Sequence, residues 1–414
     1  MIEVSYADLS SAVKVVDGVY WVGVNDTRKV RFENMWPIPE GISYNAYVIA
    51  TGSGYVLVDG VEEEYTDLYL AKLSKVVEDM DKVKYIVVNH LEPDHQGSLE
   101  ETLRRARNAK VLISAVGARM IRDFYDVPKD RVVPVKDGDR LEVDGKILRF
   151  IYTPWLHWPE TMVTLDETDS VLLTCDVFGS YVALRGGLFD DQLEMEHYIE
   201  EAKRYYVNIV GRYTKNTIDA LNKLSAILDK VKVIAPAHGP LYRGDPKLPV
   251  KLYYDWALPR LEPEVSILYI SMYGHTVDAV KRLSDIVKSH GLRVRLIDAA
   301  EEHMSYALSY SNNSAAVLTV FPTYDASIPM PLNNILYTYQ VKMFGRGRAA
   351  GVVTSYGWGP VAKLAADVLS KAGFRVVEPL VTLRTRPRKE ELEALDKLGE
   401  RIAEEVLKAL EGGH

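Results

Sequence analysis

The chain has 414 residues, of which 47% are hydrophobic and 26% charged, with a formal net charge of −8. That profile is ordinary for a soluble globular protein of one to three domains. It excludes a broad basic surface for nucleic acid or an anionic membrane, and no apolar run approaches the about 20 residues of a membrane span.

Cys175 is the only cysteine. This excludes an internal disulfide, a thiolate-only zinc site and a cysteine-held iron–sulfur cluster. The start, Met1-Ile2-Glu3-Val4-Ser5, lacks the charged region and apolar core of a secretory signal, so a cytoplasmic location is expected. Scarce glutamine beside 26 tyrosines points weakly to a heat-adapted source.

Short apolar runs bounded by Gly, Asp or Pro, at residues 19–24, 44–50, 55–58, 84–88, 110–114, 147–152 and 171–174, predict strands. Helical patterns interrupt them at 65–78, 98–106 and 194–228. The mixture predicts a sheet sandwich with helices outside. Residues 239–264 carry Pro240, Pro246, Pro249, Pro259 and Pro263 around one short helical piece at 251–257. They read as a connector and place a boundary near Pro263, giving domains 1–262 and 263–414. Beyond it, 265–271 reads as a buried strand, and Val277, Val280, Leu283, Ile286 and Val287 mark an amphipathic helix. Strands at 293–297, 315–320, 350–354 and 375–378 alternate with helices that include 361–369 and 390–410, which predicts a parallel, doubly wound sheet. The basic run at 384–389 reads as a solvated loop.

The densest chemistry lies in Val88-Asn89-His90-Leu91-Glu92-Pro93-Asp94-His95-Gln96-Gly97, directly after the apolar run 85–88. Four potential ligands, His90, Glu92, Asp94 and His95, fall within six residues. Alternate residues of a sharp turn point two of them at one ion and two at the next. Without a cation, desolvating two adjacent carboxylates costs on the order of several kcal/mol. Three more candidates stand where strands end: His157, Asp176 and His238. His90, Glu92 and His157 can hold one ion, Asp94, His95 and His238 the other, with Asp176 as a bridge. Two divalent ions against three carboxylates and one hydroxide give a neutral site. Nitrogen and oxygen donors without thiolate suit iron, manganese or zinc. A lone histidine is usually a satisfied core or surface residue, and His197, His290, His303 and His414 are read as such.

The second half offers a separate pattern. Ser271-Met272-Tyr273-Gly274-His275-Thr276 lies between a strand and a helix. Hydroxyls at both ends and open N–H groups at a helix start make a phosphate cradle without a lysine. It matches neither a Walker loop nor a dinucleotide fingerprint, so an FMN phosphate fits better than ATP or NAD. Phe321-Pro322-Thr323-Tyr324-Asp325 and Ser355-Tyr356-Gly357-Trp358-Gly359 both leave the carboxyl ends of predicted strands, where ligands bind in such sheets. Tyr324 and Trp358 can flank an isoalloxazine ring.

The order His-x-Glu-x-Asp-His, then His157, Asp176 and His238, with Asp59 upstream in Val58-Asp59-Gly60, resembles the metallo-β-lactamase fold. Hydrolases of that fold carry His where this chain has Glu92. That glutamate, with Leu156-His157-Trp158-Pro159-Glu160-Thr161-Met162 and the three flavin-type loops, resembles the flavodiiron proteins, or A-type flavoproteins, over nearly the whole chain. The resemblance implies an N-terminal αββα metallo-β-lactamase-like sandwich and a C-terminal flavodoxin-like doubly wound parallel sheet. It implies iron at all seven ligand positions, FMN, and reduction of dioxygen to water, nitric oxide to nitrous oxide, or both. It further implies a head-to-tail homodimer or a dimer of dimers, and an external electron donor, a rubredoxin-like protein or a reduced deazaflavin. Many family members place a histidine near the substrate pocket in the N-terminal segment. No histidine precedes His90 here, and Glu33 in Arg31-Phe32-Glu33-Asn34 falls in that region. Two other readings compete. One is a binuclear zinc hydrolase with a fused flavodoxin-like module, which Glu92 disfavours. The other is a plain FMN electron carrier on an inert scaffold, which the complete ligand set disfavours.

Overall fold

The computed structural model describes residues 9–385 and 387–411. Arg386 and His414 lie outside the described residues. The chain divides into two compact units, Met1–Ala257 and Leu258–His414.

In the first unit, seven strands form one sheet in the order Val13–Val16, Val19–Trp21, Tyr47–Ala50, Tyr55–Val58, Val83–Val88, Lys110–Ser114, Val132–Val135. Five form a second, in the order Arg140–Val143, Lys146–Tyr152, Met162–Asp166, Val171–Cys175, Val233–Pro236. Alternate side chains of the two sheets meet in one core: Trp21, Tyr47, Ile49, Val56, Val58 and Val87 from the first, Leu148, Phe150, Val171, Leu173 and Val233 from the second. The two-residue period of a strand turns these residues inward together. Tyr55–Val58, Val83–Val88 and Lys110–Ser114 run parallel, as do Val171–Cys175 and Val233–Pro236. Loops leaving the carboxyl ends of Val83–Val88, Lys146–Tyr152, Val171–Cys175 and Val233–Pro236 carry the candidate ligands.

Some expected elements are divided. The apolar run at 19–24 breaks at Gly23, where a Cβ would stand 2.3 Å from the Tyr44 carbonyl oxygen. The helix expected over 194–228 is two helices, Met195–Ile209 and Thr214–Ser225, because the chain turns at Gly211–Tyr213. The connector holds a longer helix than expected, Leu248–Ala257, opened by Pro249 in its first turn, where a missing N–H is harmless.

The second unit is a parallel sheet in the order Arg293–Asp298, Glu262–Tyr269, Ser314–Pro322, Ala349–Tyr356, flanked by Arg375–Val376 and Val381–Arg384. This is the flavodoxin-type doubly wound order. The strand expected at 375–378 stops at Val376, and pairing with Ala349–Tyr356 resumes at Val381. Helices His275–Ser289 and Lys389–Glu411 pack together. They supply Val280, Leu283, Val287, Leu395, Leu398 and Ile402 to a core with Val265, Ile267, Leu318 and Val353.

Candidate metal centre

The run after Val83–Val88 turns at once. Pro93 starts a single helical turn, Pro93–Gln96, which places Asp94 and His95 one side chain beyond His90 and Glu92. Asp59 braces both ends of this turn. Its carboxylate accepts from the Asn89 backbone N–H at 2.9 Å, the Asn89 amide at 2.9 Å and the Gln96 amide at 3.1 Å. Asp176 is aimed by an irregularity: the register slips between Leu173 and Cys175, and Cys175 has φ of +50°. A local break of this kind re-aims the next side chain.

The structure brings all seven expected residues together. His90, Glu92, His157 and Asp176 form one group, and Asp94, His95 and His238 a second, with donor atoms in each within 4.8 Å of one another. His90 Nε2 lies 3.2 Å from Glu92 Oε2 and 3.3 Å from Asp176 Oδ2. His157 Nε2 lies 2.9 Å from Glu92 Oε2 and 3.4 Å from Asp176 Oδ2. On the other side, His95 Nε2 is 3.3 Å from Asp94 Oδ1 and 3.0 Å from Asp176 Oδ1, and His238 Nε2 is 3.2 Å from Asp94 Oδ2 and 3.4 Å from Asp176 Oδ1. One oxygen of Asp176 thus faces each group.

These contacts leave hydrogen bonding incomplete. Both Asp94 oxygens, Asp176 Oδ2 and His238 Nε2 are buried without a hydrogen-bond partner. Burial of unpaired polar atoms at this density is costly unless a cation completes them. The imidazoles supply positive charge in its place. Burial works against protonating His157 and His238, but carboxylate neighbours overcome it: Asp176 and Glu92 push His157 up to about 9, and Asp176 and Asp94 push His238 up to about 10. Burial opposes ionisation of Asp176 too, yet His95, His157 and His238 hold it well below the usual carboxylate range. A donor set that draws in protons this strongly fits two divalent cations.

The supporting residues are less visible in sequence. Glu160 accepts from His90 Nδ1 at 2.7 Å and the Ser43 carbonyl accepts from His238 Nδ1 at 2.7 Å, so both rings present Nε2 to the centre. The Tyr205 hydroxyl donates to Asp176 Oδ1 at 2.8 Å. Glu160 sits in the 156–162 stretch that carries the family resemblance, which gives it a local signal. Ser43 and Tyr205 have no local signal, since one acts through its backbone and the other from a distant helix.

A cavity of about 200 Å³ adjoins Glu92 and Asp94 and is lined by Lys29, Phe32, Glu33, Asn34 and Glu62. Glu33 sits at the tip of a hairpin, Arg31–Phe32 against Trp36–Pro37. Both central turn residues, Glu33 and Asn34, have positive φ, 48° and 56°, which for glutamate costs on the order of 1 kcal/mol. Trp36 Nε1 donates to Glu33 Oε2 at 2.8 Å. Burial, and then the Glu92 charge, push the Glu33 carboxyl up to about 7. The remaining histidines lie apart: His197 pairs with Glu40 at 2.7 Å, His290 bonds the Ile286 carbonyl, and His303 caps a helix through the Ser305 N–H.

In the second unit the three expected loops emerge side by side. Gly274, φ +87°, starts the helix His275–Ser289, and its N–H reaches Ser271 Oγ at 3.1 Å. Nothing lies within 4 Å of where a Gly274 Cβ would be, so the turn is open above the helix start. Thr323 N–H donates to the Ser355 carbonyl at 2.8 Å, and a Gly359 Cβ would stand 2.8 Å from Ala326 Cβ; the second and third loops therefore touch. Tyr273, Tyr324 and Trp358 are 89%, 52% and 83% exposed, an unusual outlay of aromatic surface unless a planar ligand covers it. Cradle and aromatics fit FMN.

The fold and the site define a two-domain metalloflavoprotein oxidoreductase. A family model described as ODP family beta lactamase matches residues 42–239, and a flavodoxin model matches residues 267–397. A nitric oxide reductase of Moorella thermoacetica is 30% identical over 96% of this chain and 100% of its own length. A coenzyme F420H(2) oxidase of Methanothermobacter marburgensis is 28% identical over 96% of this chain and 99% of its own. The structure of rubredoxin oxygen:oxidoreductase from Desulfovibrio gigas superposes with a TM-score of 0.91 at 27% identity, covering 97% of this chain and all of that one. The chain belongs to the flavodiiron, or type A flavoprotein, family, and its cofactors are FMN and a pair of irons.

Proposed function

We propose that this protein reduces dioxygen to water, nitric oxide to nitrous oxide, or both. The observation that carries the reading is Asp176, whose two oxygens each face a separate set of ligands. In this reading His90, Glu92 and His157 hold one iron, Asp94, His95 and His238 the other, and Asp176 both. When bound, the two irons and FMN store up to four electrons, enough to take one dioxygen to two waters. Nitric oxide needs one electron per molecule.

The protein's own groups set the conditions for this chemistry. Glu160 and Ser43 fix which nitrogen each ring presents. The Glu33 hairpin and Phe32 roof the cavity beside Glu92 and Asp94, which gives a diatomic gas a place outside the ligand sphere. Ser271, Met272, Tyr273, Gly274, His275 and Thr276 hold the FMN phosphate; Pro322, Thr323, Tyr324 and Asp325, with Ser355, Tyr356, Gly357, Trp358 and Gly359, frame the ring. The names of relatives support a rubredoxin-like or reduced-deazaflavin donor. A homodimer or dimer of dimers brings a flavin to each iron pair. Among the described residues no helix is long and apolar enough to cross a membrane, and a cytoplasmic location accords with that.

The test is to reduce the purified protein anaerobically, expose it separately to limited oxygen and to nitric oxide, and follow flavin reoxidation by visible absorbance. Fast turnover with one gas assigns the substrate, and comparable turnover with both assigns a dual reductase. No fast reaction with either, together with zinc in place of iron by elemental analysis, would return the site to the hydrolase reading.

A further inference from the structure

The cavity beside Glu92 and Asp94 has one wall that metal binding does not use. Among the described residues that line it, Lys29 alone is basic. Its ammonium donates to both oxygens of Glu62, at 2.6 and 2.5 Å, and to the Tyr44 hydroxyl at 3.2 Å. Tyr44 in turn donates to Glu62 Oε2 at 2.6 Å, and its ring stands edge-on to His238 with centroids 5.8 Å apart. The backbone behind the lysine is fixed as well: Asp26, 1% exposed, accepts from the N–H groups of Arg28 and Lys29 at 2.8 and 3.0 Å. The Lys29 and Glu62 side chains are 24% and 27% exposed. The pair therefore meets water on one side and the cavity on the other.

A partly exposed ion pair adds little to stability. It does not by itself call for a lysine held at one end by Glu62 and Tyr44 and facing Glu33, Glu92 and Asp94 across a cavity. Gas reduction does call for a proton donor there. One dioxygen takes four electrons and four protons to two waters, and two nitric oxides take two of each to nitrous oxide and one water. The irons and flavin supply the electrons, but the protons must come from solvent to a buried centre. We propose that Lys29, held in place by Glu62 and Tyr44, is the proton donor for this reduction. The inference rests on the reductase reading given above. In each transfer a Lys29 Nζ–H bond breaks and an O–H bond forms on reduced oxygen in the cavity, which is a stronger base than an amine. The neutral amine then takes a proton from solvent on its exposed side. Glu62 stays a carboxylate and returns Nζ to the same place, so Glu62 and Tyr44 are positioning residues that act through Lys29.

The test mixes fully reduced, FMN- and iron-loaded full-length protein with oxygen or nitric oxide and follows flavin reoxidation by stopped flow. Lys29→Met removes the donor. Lys29→Arg keeps the charge and the partner Glu62, but a guanidinium does not give up its proton. Both variants should be slowed about a hundredfold, the lower end of what a positioned acid contributes. Their FMN content, iron content and flavin oxidation by ferricyanide, which involves no gas, should match the parent. Added ethylammonium should speed Lys29→Met about tenfold, in proportion to its concentration, and leave the parent unchanged. A Lys29→Arg protein as fast as the parent would show that only the charge is used, and overturns the proposal. So does a Lys29→Met protein that is as fast as the parent, or slow and indifferent to ethylammonium. Should Lys29→Met lose iron, Lys29→Arg decides alone. Failure of the reductase reading looks different: the parent itself is not rapidly reoxidised by either gas, and the proposal falls with it.

Discussion

At the scale of residues, the centre is governed by which atoms are left unpaired. Asp94, Asp176 and His238 keep buried atoms without partners, while the outward nitrogens of His90 and His238 are satisfied by Glu160 and Ser43. Glu160→Gln removes the charge that orients His90, and outer-shell changes of this sort cost about 10- to 100-fold in metal affinity. A chelator-competition titration of iron should show the loss in that range, and an unchanged affinity would refute the role. The imidazoles make a second prediction. His157 and His238 are raised from 6.5 to about 9 and about 10 in the metal-free protein. Groups whose folded values are raised stabilise fully below their unfolded value, and that contribution is lost as pH climbs through the folded one. The melting temperature of the metal-free protein should therefore decline from about pH 6.5 to 10, and that part of the decline should vanish in the iron-loaded protein, whose ligand imidazoles are neutral. Equal slopes by circular dichroism would contradict it.

At the scale of elements, what was legible was periodicity. The Lys389–Glu411 helix and the buried strands of the second unit carry uniform patterns, and their ends in the structure differ from expectation by three residues or fewer. The divided elements had competing instructions. The 194–228 stretch is helical by composition, but it turns at Gly211–Tyr213, and the two helices on either side each pack against Leu248–Ala257. The Met162–Asp166 strand went unread because Pro159 and the Trp-rich turn before it obscure its start. The C-terminal helix gives a quantitative test. Leu398 is wholly buried and lies 3.2 Å from the Cβ position of Gly351 in the central strand. Leu398→Ala should destabilise the second unit by about 2–5 kcal/mol, read from urea unfolding by flavin fluorescence. A loss below about 1 kcal/mol would mean the cavity collapses freely.

At the scale of the whole molecule, each unit has its own core and its own ligand, so stabilisation by each ligand should stay local. Calorimetry of the loaded protein with and without an iron chelator should lower one transition and leave the other in place. Removing FMN should do the reverse. A single transition that moves with both treatments would show the units to be energetically coupled.

The sequence by itself determined the chemistry of the metal turn and the class of each half. Four ligands within six residues, and strands alternating with helices, are local patterns whose physical cause is local. Tertiary structure decided how the parts are aimed. Asp176 is separated by 81 residues from His95 and turns one oxygen to each ligand group only because two sheets close on each other. Ser43 acts through a carbonyl that any residue possesses, and Glu33 reaches Glu92 only through a left-handed turn. Pairing across a sheet depends on the whole fold, and no window of sequence contains it.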